Sequence, residues 1–156
     1  MDKVYLETSF FGYLTSRPSA DPLVAARQRV TRQWWDTHRA SFELYVSQRV
    51  IDEAGAGDEE AAKERLFIAA GLPLVEISRQ VIQLAEDFVS RGPFPATAED
   101  DAYHVAAATV HRMQFLLSWN CRHIANAQII CRAGALCRSQ GYDLPIICTP
   151  EQLMGE

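Results

Sequence analysis

The sequence lacks the features that mark membrane, disulfide-bonded and phosphate-loop proteins. No apolar run approaches the roughly 20 residues that span a bilayer, so we expect no membrane partner. The four cysteines show neither CxxC spacing nor a zinc-type pairing with histidines, which favours reduced thiols. Gly55-Ala56-Gly57 lacks the spacing and the lysine of a phosphate-binding loop, and the chain has no Gly-x-Ser-x-Gly motif. These absences argue against a nucleotide-binding enzyme and against a serine hydrolase.

Positive charge is also scarce: the sequence contains 15 lysines and arginines and 20 acidic residues, which gives a net charge of −5. This balance argues against broad adhesion to nucleic acid, although local basic patches can still hold phosphates. The segment Met1-Asp2-Lys3 has no signal-peptide architecture, so we expect a cytoplasmic protein. A chain of 156 residues with 48% apolar content fits one domain, residues 1–156.

Strand-like runs alternate with helical segments along the whole chain. The runs are Lys3–Thr8, Phe42–Val46, Leu72–Ile77, Phe115–Trp119 and Pro145–Cys148. Predicted helices begin near Asp21, Ser47, Asp58, Ser78 and Thr97, one covers Ala125–Gln140, and a short one follows Thr149. The alternation predicts an α/β fold with a mostly parallel, helix-covered sheet. Two predicted helices separate the second and third strand-like runs, and two more separate the third and fourth. Two helices that each traverse the sheet would make the next strand antiparallel, so the sheet stays parallel only if one helix of each pair lies across it.

Oxygen-bearing side chains stand at the ends of predicted elements. Glu7 ends the first apolar run, Asp101 opens an alanine-rich helix, and Asn120 follows the run Phe115–Trp119. In open parallel sheets, ligands bind just beyond the carboxyl ends of the strands. Converging carboxylate and amide oxygens favour a hard divalent cation, Mg²⁺ or Mn²⁺. The pattern therefore predicts metal-assisted chemistry.

The order of these residues resembles PIN-domain proteins, and within them the VapC-type ribonuclease toxins of bacterial toxin–antitoxin pairs. The resemblance covers the chain from Val4 to Glu151. It rests on Glu7-Thr8-Ser9, on Asp101-Ala-Tyr-His-Val-Ala, and on Trp119-Asn-Cys-Arg-His-Ile-Ala-Asn126. It implies a PIN-like three-layer fold with a mostly parallel sheet of about five strands.

The resemblance also implies the site residues. Glu7, Glu53 and Asp101 match the family's first three acids, which bind the metal, and Asn120 stands where many members have a fourth aspartate. Thr8 and Ser9 match hydroxyl positions that order the first acid. His123 and Arg122 are candidates to contact the substrate or to orient Asn120.

Several positions keep an alternative. Asp52 is the fallback for Glu53, and Asp101 also suits a helix-capping role. His104 is predicted to be a packed or hydrogen-bonded helix residue rather than a ligand. Asn120 removes a charge relative to aspartate, so we expect one readily occupied metal site and a weaker second one.

The leading prediction is a metal-dependent ribonuclease with an RNA substrate, a possible cognate antitoxin and a homodimeric state. We place the dimer interface among apolar residues predicted to be exposed: Phe10, Phe11, Tyr13 and Leu14. The alternative is a catalytically weak PIN module that binds RNA or protein. A further possibility is another metal-dependent phosphate enzyme on a similar sheet.

Overall fold

Five parallel strands form one sheet in the computed structural model, which describes residues 1–155; Glu156, at the end of the predicted domain, lies outside the described residues. The strands are β1 (Asp2–Leu6), β2 (Phe42–Ser47), β3 (Leu74–Val75), β4 (Phe115–Leu117) and β5 (Ile146–Cys148). The helices of this part of the chain are α1 (Thr8–Thr15), α2 (Pro22–Thr37), α3 (Gln48–Ala54), α4 (Glu59–Ala69), α5 (Arg79–Ser90), α6 (Glu99–Val110) and α7 (Ala127–Ser139). The predicted α/β fold with about five strands is confirmed.

The strand order β3-β2-β1-β4-β5 places β1 in the centre. The chain first builds outward through β2 and β3 on one side, then returns to add β4 and β5 on the other. The strand order therefore reverses between β1 and β4, and in open α/β sheets such a switch point is where ligands bind. Tyr5 pairs with Leu116 and Leu6 with Leu117, so both strands end level with each other at this switch point.

The two pairs of helices that separate neighbouring strands along the chain are arranged differently. Helix α3 has seven residues and is only about 10 Å long at 1.5 Å per residue, so it cannot traverse the sheet. Helices α5 and α6 pack against each other. His111, just after α6, contacts the Glu76 carbonyl, just before α5, through its Nε2 at 2.7 Å. The pair is therefore antiparallel and begins and ends at the same edge of the sheet.

Most helix boundaries follow local signals. The Asp21 carboxylate accepts from the backbone N–H groups of Leu23 and Val24, with Pro22 in the first turn. The predicted stop at Gly141 is also seen, because this residue has φ +81° after α7. The predicted Thr97 cap is wrong: residues Ala96–Ala98 form a 3₁₀ turn, and Ala98 precedes α6 without a side-chain cap.

The aromatic residues after Glu7 lie in the core. Phe10 and Phe11 are completely buried and Leu14 is nearly so, while Tyr13 is half-buried. Helix α1 contacts α2, α3 and α4, which together cover it. The prediction that exposed apolar side chains here supply a dimer interface is therefore wrong for Phe10, Phe11 and Leu14, whereas for Tyr13 and for dimerisation itself it stays a prediction. In the described part of the chain, no helix combines the length and hydropathy needed to cross a membrane.

Candidate metal site at the carboxyl edge of the sheet

Glu7 lies at the switch point of the sheet, directly after β1. Its backbone N–H donates to the Leu117 carbonyl at 3.1 Å, which ties it to the end of β4. Its Oε2 accepts three hydrogen bonds: from the Ser9 N–H at 3.1 Å, from the Ser9 hydroxyl, and from the Ser118 hydroxyl at 2.7 Å. Glu7 is 5% exposed. Because all of these described donors contact Oε2, the other carboxylate oxygen, Oε1, remains available to a ligand.

Glu53 reaches the same place from α3. Its Oε1 accepts from the Thr8 hydroxyl, and its two oxygens lie 2.8 and 3.0 Å from Nε2 of His104. Burial alone would raise the pKa of the Glu53 carboxyl, but the hydrogen bond from His104, the charge of His104 and the Thr8 hydroxyl together lower it below its ordinary value. Glu53 is therefore held as a carboxylate.

His104 is buried in the middle of α6 and uses both ring nitrogens. Nε2 faces Glu53, and Nδ1 lies 2.7 Å from the Tyr5 hydroxyl, which in turn lies 2.8 Å from the Ser47 hydroxyl. Burial alone would lower the pKa of His104, but the hydrogen bond to Glu53 and the nearby carboxylates of Glu7, Glu53 and Asp101 raise it. The prediction that His104 is a packed, hydrogen-bonded residue agrees with this geometry. The structure also places the imidazole ring beside Glu53, inside the site.

Glu7, Glu53 and His104 form the strand cluster. One ligand atom of each lies within 4.8 Å of the other two, and no other group of this kind occurs among residues 1–155. The donor set fits a divalent cation, because two carboxylates converge and the donors to the Glu7 carboxylate within residues 1–155 all contact Oε2. Both nitrogens of His104 are already engaged by Tyr5 and Glu53, so the carboxylates are the groups that would hold an ion.

Asp101, Asn120 and His123 form the loop cluster beside it. Asp101 lies in the first turn of α6, and its Oδ1 accepts from Asn120 Nδ2 at 3.0 Å. Its Oδ2 lies 3.1 Å from His123 Nδ1. Burial raises the pKa of Asp101 above its ordinary value. The charge of His104, the hydrogen bond from Asn120 and the contact with His123 lower this pKa, but they offset the effect of burial only in part. Asp101 is not a member of the 4.8 Å group, although the two clusters share one edge of the sheet.

Ser118 connects the two clusters. Its hydroxyl donates to Glu7 and accepts from the Asn120 backbone N–H at 2.9 Å. Asn120 in turn contacts Asp101, so an unbroken series of hydrogen bonds joins Glu7 to Asp101. The predicted convergence of Glu7, Glu53 and Asp101 is therefore seen as two adjacent groups rather than one.

The role expected of Asn120 needs correction. Its amide oxygen accepts from the His123 backbone N–H at 3.0 Å, which fixes its orientation because only an oxygen can accept there. Its amide nitrogen therefore faces Asp101. Asn120 is therefore a hydrogen-bond donor to Asp101, and its amide oxygen is engaged by the backbone of the following loop rather than by Asp101.

The remaining predicted residues divide between the site and the surface. Thr8 and Ser9 hold Glu53 and Glu7 respectively. Arg122 is exposed. Asp52, the alternative to Glu53, is exposed and accepts from Gln48 instead. Glu53, and not Asp52, therefore lies beside Glu7 and His104, and its role in a metal site stays a prediction.

Sequence reasoning missed the residues that support these acids: Tyr5, Ser47 and Ser118. Ser47 and Ser118 stand where β2 and β4 end, as Glu7 stands where β1 ends. Polar residues at three strand ends are a signal that was present in the sequence. Tyr5 left no such signal, because it lies inside an apolar strand and is completely buried.

Comparison with known proteins supports the fold. No protein-family model and no curated protein matches the sequence. Among solved structures, the chain is similar to the Mycobacterium tuberculosis toxin VapC20, described as cleaving the sarcin–ricin loop. The TM-score is 0.60 at 15% identity, and the match covers 76% of this chain and 91% of that one. Together with the strand order and the carboxylates at the switch point, this likeness shows that the chain has a VapC-like PIN fold.

Proposed function

We propose that this protein is a metal-dependent ribonuclease that hydrolyses RNA phosphodiester bonds with water as the nucleophile. The observation that carries the proposal is the pair of carboxylates Glu7 and Glu53, held by hydroxyls and an imidazole at the switch point of a PIN-like sheet. The likeness to VapC20, a toxin that cleaves an RNA loop, supports an RNA substrate.

The chain's own residues divide the work in this proposal. Glu7, through its Oε1, and Glu53 would hold Mg²⁺ or Mn²⁺, with Asp101 in the adjacent loop cluster. Bound there, the ion would neutralise phosphate charge and lower the pKa of a water molecule. Asp101 has the raised pKa, so it is better suited than Glu53 to exchange a proton during the reaction.

The products follow from water attack. Water forms a new bond to phosphorus and loses a proton, the bond between phosphorus and the 3′ oxygen breaks, and that oxygen takes up a proton. Cleavage therefore leaves a 3′-hydroxyl and a 5′-phosphate. Attack by a ribose 2′-hydroxyl would instead leave a cyclic phosphate, so the chemistry of the product ends tests the mechanism.

Basic groups near the site suit a phosphate backbone. Arg49 lies one turn before Glu53 on α3, stacks on the Tyr103 ring with its guanidinium carbon 3.6 Å from the centroid, and pairs with Asp100. Arg122 and His123 follow Asn120 in the loop after β4. These groups would contact RNA locally while the net charge of the chain remains negative.

The direct test is RNA cleavage with Mg²⁺ or Mn²⁺ by the wild type and by Asp101→Asn. We expect Asp101→Asn to lose about 100-fold or more, because even outer-shell changes at metal sites cost about 10–100-fold. Asp52→Asn is the matched control, since that carboxylate lies outside the site and should leave cleavage unchanged. Full activity in the presence of EDTA would overturn metal dependence.

We further propose that the protein is the toxin of a toxin–antitoxin pair, that an antitoxin inhibits it, and that it forms homodimers in the cytoplasm. Its expression should then arrest bacterial growth, and the Asp101→Asn variant should not. Sedimentation velocity at micromolar concentrations tests the dimer, and a monomer at every concentration would contradict it.

A catalytically weak RNA- or protein-binding module is the second candidate. The contact that favours it is His104 on Glu53, because an imidazole already occupies part of the carboxylate that a cation needs. RNA binding without RNA cleavage, in the presence of Mg²⁺ or of Mn²⁺, would favour this candidate over the first.

A further inference from the structure

His104 occupies an unusual place for a residue in the middle of a core helix. It is 1% exposed, yet it contacts polar groups from two other elements: Tyr5 on β1 and Glu53 on α3. The Tyr5 hydroxyl is itself held by Ser47 at the end of β2. The ring is therefore fixed from behind by two strands and presents Nε2 to one carboxylate.

Glu53 depends on such a partner more than Glu7 does. Glu7 follows the central strand directly and receives three hydrogen bonds from Ser9 and Ser118. Glu53 stands on the seven-residue helix α3, and its side chain is 29% exposed. A long, partly exposed side chain has many rotamers, and most of them would carry the carboxylate away from Glu7.

We propose that His104 is a positioning residue that holds Glu53 within reach of Glu7, so that the two carboxylates can share a divalent cation. The inference rests on the proposed function, which requires a metal at this place. Nε2 lies within 3.0 Å of both Glu53 oxygens, and Thr8 contacts Oε1. A carboxylate offers about four lone-pair positions, so these contacts fix its direction and still leave room for an ion.

The imidazole acts through Glu53 and is not itself a ligand, because its second nitrogen is engaged by Tyr5. The role resembles that of outer-shell groups in metalloproteins, which orient the ligating side chains and whose loss costs about 10–100-fold in metal affinity or activity. Tyr5 and Ser47 support the ring in turn.

The test is titration calorimetry with Mn²⁺ alone, at one pH, on full-length variants. We expect His104→Leu to weaken Mn²⁺ binding about 10–100-fold, because it removes the donor to Glu53. We expect His104→Gln to keep most of the affinity, since the side-chain amide can donate at nearly the same position. RNA cleavage by His104→Leu should recover as Mn²⁺ is raised, with an unchanged KM for RNA at saturating metal.

Thr109→Val is the matched control. Thr109 is buried on the same helix, and its hydroxyl donates to the Val105 carbonyl, away from the acids. A loss of melting temperature without a change in Mn²⁺ affinity is expected for this variant. If His104→Leu does not fold, Tyr5→Phe decides the question, because it keeps the ring and removes the contact behind it; a several-fold weaker affinity is expected there.

The outcomes separate the two proposals. A wild type that binds no Mn²⁺ overturns the metal-dependent function and this inference with it. If folded His104→Leu binds Mn²⁺ as tightly as the wild type, only the positioning role is overturned. If His104→Leu does not fold, wild-type affinity in Tyr5→Phe has the same meaning. Equal losses in His104→Leu and His104→Gln would likewise contradict it, since the amide donor would then have restored nothing.

Discussion

The strand cluster and the loop cluster contain the same kind of pair, a carboxylate beside a histidine, yet their carboxylates respond in opposite directions. The pKa of Glu53 is lowered and that of Asp101 is raised. His104 is completely buried and engaged on both nitrogens, whereas the His123 side chain is 24% exposed. A histidine neighbour therefore does not by itself determine the charge of an acid.

The difference follows from which effect is larger at each acid. Glu53 receives His104 on both oxygens and Thr8 on one, and these contacts exceed the cost of burial. Asp101 receives one contact on each oxygen, from Asn120 and His123, and burial prevails. The Glu53 carboxyl therefore ionises at a lower pH than usual, and the Asp101 carboxyl at a higher pH than usual.

The largest expected effect is that of Glu7→Gln, which removes the charge at the centre of the strand cluster. We expect RNA cleavage to fall about 100-fold or more, beyond the 10–100-fold typical of outer-shell changes, and Mn²⁺ binding to be lost in calorimetry. The exposed Glu64 provides the control variant, Glu64→Gln. Retained Mn²⁺ affinity in Glu7→Gln would show that the loop cluster binds the metal without it.

The next effect is expected from Ser118→Ala, which breaks the connection between the clusters. It removes a donor to Glu7 and the acceptor for the Asn120 N–H. We expect Mn²⁺ affinity to fall about 10-fold, the lower end of outer-shell losses. Ser139→Ala, at an exposed serine on α7, is the control. Normal affinity in Ser118→Ala would mean that the two clusters work independently.

A smaller effect of opposite sign is expected from Asn120→Asp. It adds a negative charge about where Nδ2 now donates to Asp101, and should tighten Mn²⁺ binding about 3–10-fold, since charge attraction is partly offset by the lost hydrogen bond. We expect no matching gain in cleavage rate, because tighter ground-state binding does not lower the barrier. Unchanged affinity in calorimetry would place the loop cluster beyond the reach of the metal.

The smallest effect concerns the pH dependence of stability in metal-free protein. The lowered pKa of Glu53 contributes stability that is present above its ordinary value of 4.5 and lost as the pH falls through the lowered value. The raised pKa of His104 contributes stability that is complete below its ordinary value of 6.5 and lost as the pH rises through the raised value. The strand cluster therefore stabilises the fold most between about pH 4.5 and 6.5.

Melting curves of wild type and His104→Gln in EDTA between pH 4 and 9 measure this contribution. The wild type should lose melting temperature above pH 6.5 more steeply than the variant, which has no imidazole to titrate at this place. Parallel curves would show that the Glu53–His104 pair does not contribute to stability through its charges.

The sequence allowed a good prediction of the fold and a partial one of the site. Glu7 and Asp101 were predicted because they flank periodic segments, which depend on local pattern. Glu53 needed the resemblance, since one acid on a helix differs little from its neighbour Asp52. The direction of the Asn120 amide could not be predicted, because only the His123 N–H determines which end of the amide faces Asp101.

His104 shows how a usable signal can be overlooked. It stands three residues after Asp101 on α6, a spacing that brings side chains to neighbouring positions on one helix face. The prediction treated it as packed, which it is, and did not connect it with Glu53. The exposure expected of Phe10 and Phe11 was wrong because three helices pack against α1, and local sequence does not show such packing.

The sequence by itself determined the order of strands and helices, the positions where they end, and the acids at those ends, because hydrophobic periodicity and capping act over a few residues. Only the tertiary structure decided what those acids contact. Tyr5 and His104 are 99 residues apart in the chain, and His104 and Glu53 are 51 apart. The direction of each pKa shift depends on burial and on such distant partners, so it arises only when the elements have packed together.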